Sequence, residues 1–187
     1  MTIKFFAAAA LAALATSPLA ADSDAMLAEA RATAQQFGKA LKGEVMRSMK
    51  AGGPVPTINM CNHRAPQIAN EVSATSGWNV ARTSLKLRNA NNAPDSWEQA
   101  VLESFEQRKA NGEPMKTLEY SEVVEQGDVK MFRYMKAIPT GKPCLHCHAA
   151  EIKPQVADTL KPLYPNDQAR GFKVGDIRGA FTLSKPM

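Results

Sequence analysis

The 187-residue sequence predicts an α+β domain in which helices flank a central antiparallel sheet. Three observations carry this expectation. A long amphipathic segment lies near the N-terminus, a capping-box pattern opens a helix in the middle, and alternating apolar runs gather in the second half, two of them joined by a tight turn.

The chain opens on "MTIKFFAAAALAALATSPLAAD", with one basic residue, Lys4, an apolar run from Phe5 to Ala15 and a small-residue exit ending at Ala20 or Ala21. This is the pattern of a secretory signal peptide over residues 1–21, and the apolar run is too short to cross about 30 Å of hydrocarbon. No cysteine stands near the exit for lipid attachment, and no later segment is apolar enough to span a membrane. The expectation is therefore a periplasmic or otherwise exported protein with no stable membrane anchor once the signal is removed.

Residues 22–53 carry Leu27, Ala30, Ala34, Phe37, Leu41 and Val45 at spacings of three and four, with Asp24 available as a cap and Gly52 and Gly53 to end the run. This spacing predicts a long N-terminal helix with one core-facing stripe. Its Ala-rich form would also suit pairing with a partner, including a second copy of the chain. A second helix is expected from near Asn62 to Ser76, closed by Gly77, and "WNVARTSLKLRN" alternates as a strand. Asp95 with Glu98 opens a third helix whose inner face is Trp97, Val101, Leu102 and Phe105, ending at Asn111 and Gly112. "LEYSEVVEQGDVKMFRYMKAI" reads as two strands joined at Gln126, Gly127 and Asp128, and "GDIRGAFTLSKP" as a last strand with Ile177, Phe181 and Leu183 alternating against Arg178, Thr182 and Ser184.

With 44% hydrophobic and 22% charged residues, the chain fits one globular domain. The net charge of +5, lowered by one when Lys4 leaves with the signal, is mild and scattered. It forms no basic run with interleaved aromatics, which argues against nucleic-acid binding. There is no phosphate-binding glycine loop, nucleophile elbow or metalloprotease pair, and Glu119, Glu122 and Glu125 read as a solvated strand face. Enzyme catalysis is not expected.

The sharpest motif is "PCLHCH". Cys144, Cys147 and His148 match C-x-x-C-H, in which two thiols add across the vinyl groups of haem and the next histidine ligates the iron. Two thioethers three residues apart anchor neighbouring edges of the macrocycle and hold the following imidazole beneath the metal. With three cysteines and three histidines in the chain, the pattern arises by chance in roughly one such sequence in a thousand. A zinc site would need a second ligand pair, for which only Cys61 and His63 are available, and a redox C-x-x-C normally opens a helix in a βαβ context that is absent here. The motif therefore predicts one covalent haem c, with His146, caught between the thioethers, facing solvent.

"INMCNHRAPQIA", "GWNVARTSLKLRN" with "APDSWE", "PCLHCH" and "YPNDQARGFKVGDIRGAF" together resemble the family of PAS-like c-type haem domains with Cys/His iron ligation, over roughly Pro54 to Phe181. Ala90 departs from the pattern, standing where proline is expected after "RN". The resemblance implies a PAS-like domain over residues 54–187, attachment through Cys144 and Cys147, His148 as proximal ligand and Cys61 as the distal one. It also implies redox or ligand sensing, or electron transfer.

The residues alone leave Cys61 more open. A buried inert cysteine is common, and His63, Met60, Met131 and Met135 are rival ligands. If a helix includes Cys61, then Ala65, Ile68 and Ala69 share its face while His63 lies with Gln67 and Asn70. A helix beginning only at Pro66 would remove that phase argument. Arg82 and Arg88 are candidates for pairing with haem propionates, since guanidinium forks suit carboxylates. Three functions follow: a haem-based redox or small-ligand sensor with a redox or signalling protein partner, a one-electron carrier that docks on an acidic partner, or a thiol oxidoreductase using Cys144 and Cys147.

Overall fold

The structure is a computed structural model and describes residues 18–187, so most of the expected signal peptide lies outside the described residues. Helix α1 spans Pro18–Gly52, and Asp24 sits inside it rather than capping it, because Leu19, Ala20 and Ala21 are strong helix formers that carry the helix past that point. Its expected stripe is the buried one, with Ala30, Ala34, Phe37 and Leu41 in the core.

Helix α2 spans Pro54–Ser76 and begins well before the expected Asn62. Gly53, at φ 78°, breaks the chain between the two helices, and Pro54 occupies a first-turn position where its missing N–H costs nothing. Pro66 is accommodated inside the helix, so Cys61 is helical and one turn earlier than the proline. Gly77 closes α2 in the left-handed conformation, its N–H donating to the Ser73 carbonyl. The short connection brings α2 back along α1, and Thr57 Oγ1 donates to Ser48 Oγ at 3.0 Å.

Strand β1 (Asn79–Thr83) is shorter than the sequence suggested. Ser84 ends it by giving its hydroxyl to the Arg178 carbonyl at 2.9 Å and accepting the Lys86 N–H at 3.1 Å, which turns the chain away from the sheet. A 3-10 turn at Ala90–Asn92 follows, with the Asn89 side chain accepting from Asn91 N. The turn forms with Ala90 in place of the expected proline. Helix α3 (Ser96–Ala110) has the expected capping box, Asp95 and Glu98 bonding reciprocally. Strands β2 (Glu119–Gln126) and β3 (Val129–Pro139) form the expected hairpin, with Gly127 at φ 64° and Asp128 as its two-residue turn.

After β3 come a 3-10 turn at Lys142–Cys144, the one-turn helix α4 (Leu145–His148) and helix α5 (Pro154–Leu163). The sequence reading missed α5. Strand β4 (Ile177–Pro186) closes the chain. The sheet is antiparallel in the order β1-β4-β3-β2, so the last strand is central. Its two faces are covered differently. On one, α1 and α2 pack Phe37, Ala65, Ile68 and Val72 against Trp78, Val80, Phe132, Tyr134 and Leu183. On the other, α3 packs Val101, Leu102 and Phe105 against Met135, Ala137, Ile177 and Ala180. A third cluster, Ile58 of α2 with Val156 and Leu160 of α5 and Tyr164, has Cys147 packed against it and thereby connects α2 to the C-x-x-C-H segment.

Candidate functional site

The cysteine motif is held by backbone geometry. Gly141 starts the turn, with its carbonyl accepting from Cys144 N at 3.0 Å and its N–H donating to Cys144 Sγ at 3.3 Å. Helix α4 then places Cys144 and Cys147 three residues apart on one side, the spacing at which helical side chains are neighbours. Ala149, at ψ 168°, ends the helix at once, and α4 is too short to satisfy its own carbonyls. Two outside groups do so. Arg88 Nη2 donates to the Cys147 carbonyl at 2.6 Å, and Phe172 N donates to the His148 carbonyl at 3.0 Å.

His148 is partly buried, with the Phe172 ring edge-on at 6.0 Å between centroids. Its Nδ1 lies 2.9 Å from the Ala169 carbonyl, which can only accept, so the ring proton resides on Nδ1 and Nε2 carries the lone pair that would bind a metal. Burial and the positive charges of Arg178 and Arg88 push the imidazole pKa down to about 2, against the weaker opposing pull of the Ala169 bond and Asp167. The ring is neutral, the form that ligates. Arg178 Nε approaches Nε2 at 3.4 Å. Arg178 also donates to Ser84 Oγ at 3.2 Å and lies over the Phe172 ring at 5.2 Å. Its own pKa falls to about 10, through burial first and then the neighbouring Arg88 and Arg82.

Asp167 organises the loop behind this histidine. It accepts from Arg88 Nε at 3.1 Å, Arg170 Nε at 2.9 Å and the Ala169 N–H at 2.9 Å. Burial works to raise its carboxyl, but the Arg170 bond and the charge and bond of Arg88 outweigh that, and the net shift is downward. Arg88 also donates to the Ala169 carbonyl at 3.2 Å. Arg88 and Asp167 thus fix both the Cys147 backbone and the carbonyl that sets the His148 tautomer.

Cys61 projects from α2 toward this region, close enough to Cys147, Arg82 and Arg88 for their charges to act on its thiol. Burial pushes that thiol up and Arg82 pulls it back. Arg82 lies on β1, opposite Phe181, on the face that α1 and α2 cover. Burial lowers its pKa, and Cys61 and Tyr164 oppose the shift. Tyr164 in turn bonds to the side chain of Asn62 beside Cys61. Three of the rival ligands lie elsewhere: His63 is exposed, Met135 is buried in the α3 core, and Met131 lines a cavity of about 470 Å³ between α3 and the sheet that contains none of the site residues. His146 is exposed, as expected.

The donor set fits a haem of the attached type. Two partly buried free thiols stand beside a neutral imidazole of fixed tautomer, with a third thiol nearby on α2. It does not fit zinc, since no group of three or more His, Cys, Asp or Glu that could hold a metal ion occurs among the described residues. Sequence reasoning named Cys61, Arg82, Arg88, Cys144, Cys147 and His148, and the structure gathers them around one region. It missed Arg178, Asp167 and Ala169. All three sit in "YPNDQARGFKVGDIRGAF", where Arg178 reads only as the polar side of a strand and nothing local marks Asp167 or Ala169.

The fold has a counterpart among solved structures. The crystal structure of the cyanobacterial heme-protein Tll0287 superposes with a TM-score of 0.62 at 22% identity, covering 92% of this chain and 98% of that one. No curated protein matches the sequence. Residues 13–186 match the Tll0287-like family along nearly the whole described chain, and the protein belongs to that family.

Proposed function

We propose that this is an exported monohaem c-type protein, with haem attached to Cys144 and Cys147 and with His148 and Cys61 as axial ligands, serving as a redox or small-ligand sensor for a protein partner. The observation that carries the reading is the Nδ1 contact of His148 to the Ala169 carbonyl, which makes Nε2 the metal-binding nitrogen directly after two thiols at attachment spacing. Family membership supports it, since the solved structure of like fold is a heme-protein. The bound haem would supply one-electron chemistry and a replaceable axial bond.

The chain's own residues prepare that chemistry. Ala169 holds the ring proton of His148, Arg88 fixes the Cys147 carbonyl, and Arg82 and Arg88 make the pocket positive. Cys61 is protonated by itself because burial raises its thiol, whereas a ferric centre would deprotonate it. Because Cys61 sits within α2, any change in its bond to such a centre would be felt by that helix. A one-electron carrier is the second reading, favoured by the preformed Arg88–Asp167 network, which limits rearrangement around His148. A thiol oxidoreductase is disfavoured by Cys147, whose thiol is pushed up by burial, opposite to an activated nucleophile.

The test is expression in a host competent in haem attachment. The protein should be red, retain haem after denaturation, and give optical spectra in both oxidation states that separate the two readings. A ligand change on reduction, or carbon monoxide binding to the reduced form, supports the sensor, while unchanged ligation supports the carrier. Cys61→Ser should abolish a thiolate-type ferric spectrum and raise the reduction potential. A colourless product would refute the haem reading.

A further inference from the structure

The charges around His148 do not balance. Four guanidinium groups, Arg82, Arg88, Arg170 and Arg178, meet near the C-x-x-C-H segment, and the carboxylate recorded in ion pairs with them is Asp167. Asp167 is already shared by Arg88 and Arg170. Arg82 and Arg178 pair with no carboxylate among the described residues. Both are desolvated, and the charge of Arg82 acts on Arg178. Two like charges withdrawn from water beside one another are unfavourable unless an anion joins them.

The arginines also differ in what their donors do. Arg88 spends its donors on Asp167, the Cys147 carbonyl and the Ala169 carbonyl, all strong protein acceptors. Arg178 makes only long contacts, 3.2 Å to Ser84 Oγ, 3.3 Å to the Lys86 carbonyl and 3.4 Å to His148 Nε2. The last of these occupies the lone pair that a metal would take, so Arg178 has to release it and then needs a new acceptor. Two uncompensated guanidinium groups match a cofactor bearing two carboxylates.

We propose that Arg82 and Arg178 form the carboxylate clamp of the pocket, each binding one propionate of the haem, while Arg88 is a strut that acts through the Cys147 backbone. The clamp rests on the haem reading given above and adds to it a residue, Arg178, with a stated role. Loss of either cation removes a charge that favours the electron-rich state, so the reduction potential falls.

The experiment uses the matured full chain carrying haem labelled with ¹³C at the propionate carboxyls, in wild type, R82Q, R178Q and the double variant. Redox-difference infrared spectra should show the labelled carboxylate bands displaced in each variant and most in the double one. At a fixed ambient potential the oxidised-to-reduced ratio of the double variant should rise about tenfold, equivalent to ~59 mV for a one-electron couple. R82K and R178K, which keep the charge but lose the fork, should displace the bands and hold the potential near wild type, and they carry the same comparison if the glutamine variants do not fold. A haem-loaded double variant whose labelled bands and potential coincide with wild type overturns the clamp alone. A wild-type chain that retains no haem overturns the underlying reading and the clamp with it.

Discussion

His148 and His146 differ by two positions and by everything that matters to a metal. One is partly buried with its Nδ1 on the Ala169 carbonyl, and the other is exposed. Replacing His148 with alanine should abolish a normal low-spin haem spectrum, whereas His146→Ala should leave it nearly intact; the opposite pattern would reverse the assignment. Asp167 permits a pH prediction. Its folded-state pKa lies below the unfolded value of about 3.9, so the stability it contributes is fully present above that pH and is lost as pH falls through the folded value. Asp167→Asn leaves Arg88 without its carboxylate and should cost on the order of 3 kcal/mol at pH 7. Urea titrations should find that difference constant from pH 7 to 5 and shrinking below pH ~4. These residues also mark the limit of what the sequence made legible. C-x-x-C-H is a local pattern with a fixed chemical meaning, so Cys144, Cys147 and His148 could be read directly. Asp167, Ala169 and Arg178 act through contacts with distant segments, and no local spacing announces them.

Among the elements, the close approach of β1 to β4 has one strict requirement. Gly179 adopts φ 153°, and a Cβ there would stand 2.3 Å from the Thr83 carbonyl oxygen and 3.0 Å from Ser84 Cβ. Gly179→Ala should therefore lower stability by at least ~2 kcal/mol in thermal or denaturant unfolding. A control at Gly43, where an added Cβ meets nothing within 4 Å, should cost nothing. The periodic elements were legible because burial imposes their spacing: α1, α3 and the β2–β3 hairpin lie where the pattern put them. The misreadings were at proline and serine. Pro54, Pro56 and Pro66 hide the true start of α2, because proline breaks a helix interior yet is tolerated in a first turn, where two of the three sit. Pro154 and Pro162 concealed α5, although Val156 and Leu160 have helical spacing and are fully buried. Ser84 cut β1 short through side-chain bonds that no strand propensity anticipates.

At the scale of the molecule, the sheet has helices on both faces, and its outer strands differ in how they are secured. Strand β2 belongs to a local hairpin, while β1 pairs with β4 alone, Asn79 opposite Ser184. Removing residues 177–187 should leave β1 and β3 without their shared neighbour and abolish cooperative unfolding by circular dichroism, whereas removing Met187 alone should not. That arrangement also orders events in time. Contact order is high where it matters, because β1 waits for a partner roughly a hundred residues downstream and closing so long a loop is slow. The cysteine motif lies between β3 and β4, so the loop that presses Phe172 and Ala169 around His148, and Arg178 of β4 itself, cannot be fastened until the final strand docks. Until then both thiols would stay accessible on a slack tether, and the proposed haem attachment would have a kinetic window that native folding afterwards shuts.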